Sequence, residues 1–151
     1  MMYKISAYLE QDHRRCDEQY AVAESEVTLR NWDAARRSFA TFLDMFECHL
    51  DKEERVLFPR LDHALGNGYG ATVVMREEHR QIRAMQAQMR RAIERRDSDA
   101  FFEYAGQLRE LMRQHSMKED GILYPQADFV LVKQADAIIA VMENLYHAEA
   151  A

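Results

Sequence analysis

The chain has 151 residues, of which 48% are hydrophobic and 30% are charged, and its net charge is −6. This length fits one domain over residues 1–151, with a bundle over about 6–125 and a C-terminal helix over about 127–147. The negative charge argues against a nucleic-acid or anionic-membrane partner, and no apolar run approaches the roughly 20 residues of a membrane helix. We expect no signal peptide and predict a cytoplasmic protein with reduced thiols at Cys16 and Cys48, although sequence alone leaves a disulfide open.

The predicted secondary structure is entirely α-helical. Five glycines and two prolines are too few turn residues for many short strands, and they favour long helices. Apolar residues recur at helical spacing, for example at Phe39, Phe42 and Phe46. Asp33 is a candidate N-cap of the second helix, and the third helix follows the turn sequence "GNGYG". The predicted helices span about residues 6–29, 33–58, 71–96, 97–124 and 127–147.

The first four helices are predicted to form an antiparallel up-down-up-down four-helix bundle, because short turns join long amphipathic segments. Pro59 and Pro125 are expected to stop or kink the second and fourth helices, since proline lacks an N–H and clashes with the preceding turn. The fifth helix is additional to the bundle. Its apolar residues Phe129, Val132 and Ile139 are expected to pack on the bundle or on a second subunit.

The sequence repeats itself at a fixed offset of 66 positions. The phrase "HLDKEERVLFP" at 49–59 returns as "HSMKEDGILYP" at 115–125. His13 and His79 keep the same offset, and each follows an acidic residue and precedes an arginine. Several features in register without a gap indicate two copies of a helix–turn–helix unit.

The histidines and glutamates of the repeat are predicted to face the core. His49 and Glu53 share one helix face, because positions i and i+4 are about one turn apart, and His49 continues the apolar line of Phe42 and Phe46. Paired buried carboxylates are costly unless a cation neutralises them. A hydrogen-bonded His–Glu pair without metal would explain one copy of the phrase, but it explains the repeated set poorly. The candidate metal ligands are His13, His49, Glu53, His79, His115 and Glu119.

The composition of this set favours iron. Each half supplies two histidines and one carboxylate, which suits non-haem iron with open coordination positions. The set contains no thiolate, and this weighs against a structural zinc site. Two halves that meet at the bundle axis suggest two metal ions bridged by Glu53 and Glu119.

The spacing of these six residues, with "EERVLFP" and "EDGILYP", resembles the hemerythrin-like HHE cation-binding domain family over residues from about 8 to 125. The resemblance implies a four-helix bundle that holds two non-haem iron ions with an oxo or hydroxo bridge. It assigns His13 and His49 to one iron. It assigns His79 and His115 to the other iron and makes both glutamates bridging ligands.

One position departs from the oxygen-carrying members of that family, which have a fifth histidine where this chain has Met75. The repeat counterpart of Met75 is Leu9. A thioether is a weak ligand for oxidised iron, so we predict that Met75 packs in the core. The carriers can also space the acid one residue later, which would select Asp120; the repeat favours Glu119, whose counterpart is Glu53.

Several further side chains are candidates for supporting roles. Asp17 lies one turn after His13 and is weighed as a ligand or as an acceptor for an imidazole N–H. Cys16 is expected to be a small buried packing residue. Tyr20, Tyr104 and Tyr124 are candidates for gating or hydrogen bonding at the site, whereas His63 and His147 are left out of the ligand set.

The candidate ligands and the family resemblance lead to three functional hypotheses. The first is a protein that binds or senses a small ligand, namely O2, NO or peroxide. The alternative is a di-iron enzyme that reduces peroxide or NO, or that donates iron to damaged iron centres. A structural bundle with a degenerate site ranks last, because all six ligands are present. A redox or signalling partner would be a separate protein, and the chain is expected to be a monomer or a homodimer.

Overall fold

The computed structural model describes residues 4–66 and 70–150, with side chains described as far as residue 145. Within these ranges the chain is almost wholly helical and has no β-strand, which confirms the predicted all-α class. None of the described helices is long and apolar enough to cross a membrane. The helices are α1 (Ile5–Thr28), α2 (Trp32–Asp51), π1 (Lys52–Leu57), α3 (Phe58–Leu65), α4 (Gly70–Glu94), α5 (Ser98–Lys118), π2 (Glu119–Leu123), α6 (Tyr124–Val130) and α7 (Ala135–Ala150).

Two helical hairpins make up the bundle, one formed by α1 and α2 and the other by α4 and α5. Their turns have the same conformation, since Arg30 and Arg96 both adopt positive φ, at 59° and 58°. These arginines are 66 positions apart, so the duplication extends to backbone geometry. Asp97 caps α5 by accepting a hydrogen bond from the backbone N–H of Ala100. The N-cap of α2 is Asn31, so the prediction of Asp33 as its N-cap was wrong; Asp33 lies in the first turn.

Of the two outcomes expected at Pro59 and Pro125, a stop or a kink, the stop was wrong. Each chain segment passes through one π-helical turn, π1 or π2, and continues as an α-helix whose first turn contains the proline. The Phe58 N–H donates to the Glu53 carbonyl and the Tyr124 N–H donates to the Glu119 carbonyl, each across five residues. The wider turn absorbs the place where proline cannot donate, so the helix continues.

The C-terminal segment is two helices rather than the single predicted one. Leu131, at φ −111° and ψ 18°, interrupts the helical path between α6 and α7, and a 3₁₀ turn at Val132–Gln134 follows it. The three apolar residues that were expected to pack on the bundle or on a second subunit therefore differ in burial. Phe129 is 81% exposed, Val132 is also exposed, and Ile139 is half-buried.

The core consists of two apolar clusters separated by a polar layer. One cluster fills the end of the bundle near the two hairpin turns and includes Phe39, Phe42, Met89 and Phe101. The other joins the start of α1 to the segments that follow π1 and π2, and to α7. All six predicted ligands lie in sequence between residues of the two clusters. The fold therefore encloses its most polar side chains midway along the bundle.

Candidate metal centre

Four imidazole nitrogens and two carboxylates meet in the polar layer. The Nε2 atoms of His49 and His79 lie 3.5 and 3.3 Å from Glu53 Oε1. In the equivalent arrangement, the Nε2 atoms of His115 and His13 lie 3.1 and 3.5 Å from Glu119 Oε1. Each carboxylate therefore faces one histidine of its own hairpin and one of the other hairpin.

These side chains form two overlapping groups whose ligand atoms lie within 4.8 Å of one another. Glu53 and Glu119 join His79 and His115 in one group, and Glu119 also joins the other. The second group contains His13 and His49. The structure therefore brings together all six residues that the sequence predicted, in two overlapping groups.

The buried polar atoms of the centre fit a cation. Glu53 and Glu119 are fully buried, yet Glu53 Oε1 and both oxygens of Glu119 make no hydrogen bond. The Nε2 atoms of His49 and His79 are likewise buried without a hydrogen-bond partner. Five buried polar atoms without hydrogen bonds in one place would cost free energy of folding in an ordinary core. A set of nitrogen lone pairs and carboxylate oxygens is the donor set that suits non-haem iron.

Outer carboxylates hold three of the imidazole rings. The Nδ1–H groups of His49, His79 and His115 donate to Asp12, Glu54 and Glu78, at 3.3, 2.6 and 2.9 Å. A donor at Nδ1 leaves a lone pair at Nε2, which is the atom that faces the glutamates. These outer contacts therefore set the ring orientation and tautomer that a metal ligand needs.

Two lysines at equivalent positions of the repeats donate hydrogen bonds to two of the outer carboxylates. Lys52 Nζ donates to Asp12 Oδ2 at 2.8 Å, and Lys118 donates to the equivalent Glu78. Lys52 is 3% exposed. Its ammonium group packs over the Tyr8 ring, 4.8 Å from the centroid. The 66-residue offset between the two lysines was the signal that would have identified them.

The pKa values of the site histidines are shifted in different directions. Burial by itself lowers the pKa of His13 and of His79, but the facing glutamates outweigh it and raise both pKa values to about 9. Burial dominates at His49 and lowers its pKa. Burial opposes ionisation of Glu119, but its close polar and charged neighbours, the imidazoles of His115 and His13 among them, hold its pKa well below the usual range.

An aromatic ring lies against one histidine in each half. Phe58 stacks on His79 with ring centroids 5.7 Å apart, and the repeat counterpart Tyr124 lies 5.8 Å from His13. Tyr124 alone carries a hydroxyl, which donates to Glu53 Oε2 at 2.7 Å and lies 3.3 Å from His13 Nε2. Of the three tyrosines singled out from sequence, the structure places Tyr124 at the centre.

The His13 side of the centre is more open than the His79 side. Glu54 holds the His79 ring and is itself held by Arg83, at 3.0 Å. The counterparts of Glu54 and Arg83 are Asp120 and Asp17, and both of these are exposed. The His13 side chain is consequently 17% exposed, whereas the His79 side chain is fully buried.

The remaining candidates lie outside the two ligand groups. Asp17 and Asp120 are absent from both groups, and Asp17 accepts no imidazole N–H in the described structure. Met75, 1% exposed, packs in the apolar cluster together with its counterpart Leu9, as predicted. Cys16 and Cys48 are buried and are not joined by a disulfide, and Cys16 packs in the core. His63 is exposed on α3, while the His147 side chain and the predicted turn residues 67–69 lie outside the described residues.

A family model described as the hemerythrin HHE cation binding domain matches residues 4–127 and, in a second overlapping match, residues 72–149. The second match begins close to the start of the second repeat. No curated protein and no solved structure matches the chain.

Proposed function

The chain belongs to the hemerythrin HHE cation-binding domain family, and from this premise we propose that it is a non-haem di-iron protein that binds or senses O2, NO or peroxide. In this proposal His13 and His49 hold one iron, and His79 and His115 hold the other. Glu53 and Glu119 bridge the two ions.

The main support for the proposal is a set of buried polar atoms in the polar layer that have no hydrogen-bond partner. Carboxylate oxygens of Glu53 and Glu119 and the Nε2 atoms of two histidines are buried without hydrogen bonds, although they converge from four helices. Such groups are stable together when a cation accepts their lone pairs. The iron ions would supply electrons to a small bound ligand, and the surrounding apolar clusters would exclude bulk water.

The open His13 side supports ligand binding there rather than a closed structural site. Met75 packs in the core where oxygen carriers have a fifth histidine, so the protein supplies fewer nitrogen ligands than a carrier. The Tyr124 hydroxyl lies beside His13 and Glu53, and a ligand bound on that side would accept the hydrogen bond that the hydroxyl donates to Glu53. An open position and a nearby donor are what a small oxygen- or nitrogen-containing ligand requires.

The same Tyr124 hydroxyl favours the alternative function, a di-iron enzyme that reduces peroxide or NO. Burial and the charges of Glu119 and Glu53 raise its pKa well above the ordinary tyrosine value. The phenol therefore keeps its proton at neutral pH and can donate a hydrogen bond or a proton. Multiple turnovers of added H2O2 or NO would favour the enzyme over the reversible binder.

The test is metal analysis of the purified protein followed by anaerobic reduction and exposure to O2, NO or H2O2. About two irons per chain, with a visible absorption band that disappears when the ligand is removed, would support the reversible binder. One zinc per chain and no spectral change on addition of any ligand would contradict the di-iron proposal.

A further inference from the structure

A cavity of about 360 Å³ lies between α1 and α5, next to the proposed metal centre. Phe46 lines it and also contacts the His49 ring, with centroids 6.2 Å apart. Asp17 and Ser116, which also line it, are one turn after His13 and directly after His115. The cavity therefore adjoins the open side of the centre.

The cavity exists because the second repeat carries smaller residues than the first. Ala105 lines the cavity, and its counterpart is Phe39, a ring 1% exposed in the core. Ser116 lines the cavity as well, and its counterpart is the fully buried Leu50. At the equivalent positions of α2 these larger side chains are buried in the core. Two small residues in register on α5 leave an open volume that the duplication would otherwise close.

Among the residues that the structure describes, the ion pair that joins α4 to α2 has no equivalent between α1 and α5, the helices that flank the cavity. Arg83 and Glu47 join α4 to α2 with hydrogen bonds of 2.8–3.1 Å. Their counterparts are Asp17 and Arg113, the same pair with its charges exchanged. Arg113 bonds Glu110 on its own helix instead, at 2.8 Å. The two helices that flank the cavity are therefore not held together across its mouth by this pair.

A buried polar group inside the cavity has no partner within the described structure. Gln86 on α4 is 5% exposed and lines the cavity, yet its amide Nε2 makes no hydrogen bond. An amide N–H in that position costs free energy unless an acceptor is supplied. The counterpart of Gln86 is Tyr20, which lines the same cavity, so the unpartnered donor is specific to one side of it.

A positively charged side chain at the cavity indicates which group the other end of a ligand would carry. Arg109 lines the cavity and makes no ion pair among the described residues, and Asp17, the one carboxylate in the lining, comes one turn after His13 on the side of the metal centre. The rest of the wall is mainly apolar and includes Phe42, Leu108 and Met112. At about 30 Å³ for a water-sized group, the volume holds roughly a dozen non-hydrogen atoms, and it falls in the size range of ligand pockets.

We propose that this cavity binds an apolar organic acid that carries an oxygen acceptor at its far end, with its carboxylate at Arg109 and its acceptor on the Gln86 amide. This inference deepens the proposed function, because such a ligand would lie against the open His13 side of the centre. It names the class of molecule whose binding the centre would sense or on which it would act.

The test is calorimetric titration of the iron-loaded full chain with 10-hydroxydecanoate, decanoate and decylamine. We expect the hydroxy acid to bind roughly three- to tenfold more tightly than decanoate, because its hydroxyl accepts the Gln86 hydrogen bond, and the amine not to bind. Gln86→Leu should remove the difference between the two acids, while Gln88→Leu on the same helix, outside the cavity, should preserve it. Arg109→Gln should weaken both acids, with Arg91→Gln as its control.

Ala105→Phe restores the residue of the other repeat and should abolish binding of both acids. Should that variant fold poorly, Ser116→Leu fills the same volume with the counterpart residue. The inference would be overturned if neither acid bound the iron-loaded protein, or if binding were unchanged in the folded, filled variant. Iron content is measured on every sample, so an iron-free wild-type protein would refute the proposed function separately.

Discussion

Replacing Tyr124 by Phe tests the asymmetry of the metal centre most directly. The variant removes one hydroxyl and leaves the ring, and Phe58 at the equivalent repeat position shows that a phenyl ring packs beside a site histidine. The lost hydrogen bond is 2.7 Å long and joins a neutral donor to a buried carboxylate of Glu53. Hydrogen bonds to charged groups contribute about 1.5–3 kcal/mol, and the carboxylate oxygen would lose its partner.

We therefore expect Tyr124→Phe to lower the free energy of unfolding by about 2 kcal/mol. With a urea dependence of roughly 2 kcal/mol per molar, the midpoint of unfolding falls by about 1 M. The iron content should stay near that of the wild type, whereas the rate of reaction with peroxide or the affinity for NO should change. Tyr104→Phe is the matched control, since Tyr104 packs against the other apolar cluster.

Two outcomes would refute this reasoning. An unfolding midpoint equal to that of the wild type, with unchanged ligand reactions, would show that the hydroxyl of Tyr124 makes no stabilising contact with Glu53. Loss of one iron in the variant would show that the tyrosine is itself a ligand, in place of a hydrogen-bond donor.

The remaining predictions concern the histidines. His49→Ala should lose metal, whereas the exposed His63→Ala should keep it, as metal analysis would show; equal metal contents would remove His49 from the ligand set. Glu54→Gln should weaken metal binding about 10- to 100-fold by loosening the His79 ring, and a chelator titration with unchanged affinity would contradict this. Because the pKa values of His13 and His79 are raised to about 9 in the metal-free protein, metal uptake at pH 7 should release at least two protons, measured by calorimetry in buffers of different ionisation enthalpy. The metal-free protein should also lose stability as pH rises from about 6.5 through 9, while the metal-loaded protein should not; parallel pH profiles of the two forms would exclude the linkage.

The six inward-facing residues could be predicted because a repeat tests each position twice. His49 alone on an apolar face fits an ordinary core histidine, but His115 at the same offset makes that explanation weak. The spacing from His49 to Glu53 then sets both side chains on one helical face without knowledge of the tertiary structure. Local periodicity was sufficient here because each ligand pair lies within one helical turn.

The outer residues and the π-helical turns could not be predicted in this way. The burial of Lys52 depends on Asp12 from another helix, and helical periodicity within one segment carries no information on that partner. On an α-helical backbone proline predicts a stop or a kink, whereas the wider hydrogen bond from the Phe58 N–H to the Glu53 carbonyl lets the helix continue. The break at Leu131 carries no glycine or proline signal in the sequence.

The crossing of the two glutamates between hairpins has a kinetic consequence. Each carboxylate faces a histidine from the other hairpin, so a bound metal pair would act as a crosslink between distant chain segments, joining Glu53 to His79 and His13 to Glu119. A chelator could then remove the metal only after the hairpins separate. The rate of metal release would follow the rate of that opening and would become independent of the chelator concentration, which would make iron retention a measure of how often the bundle opens.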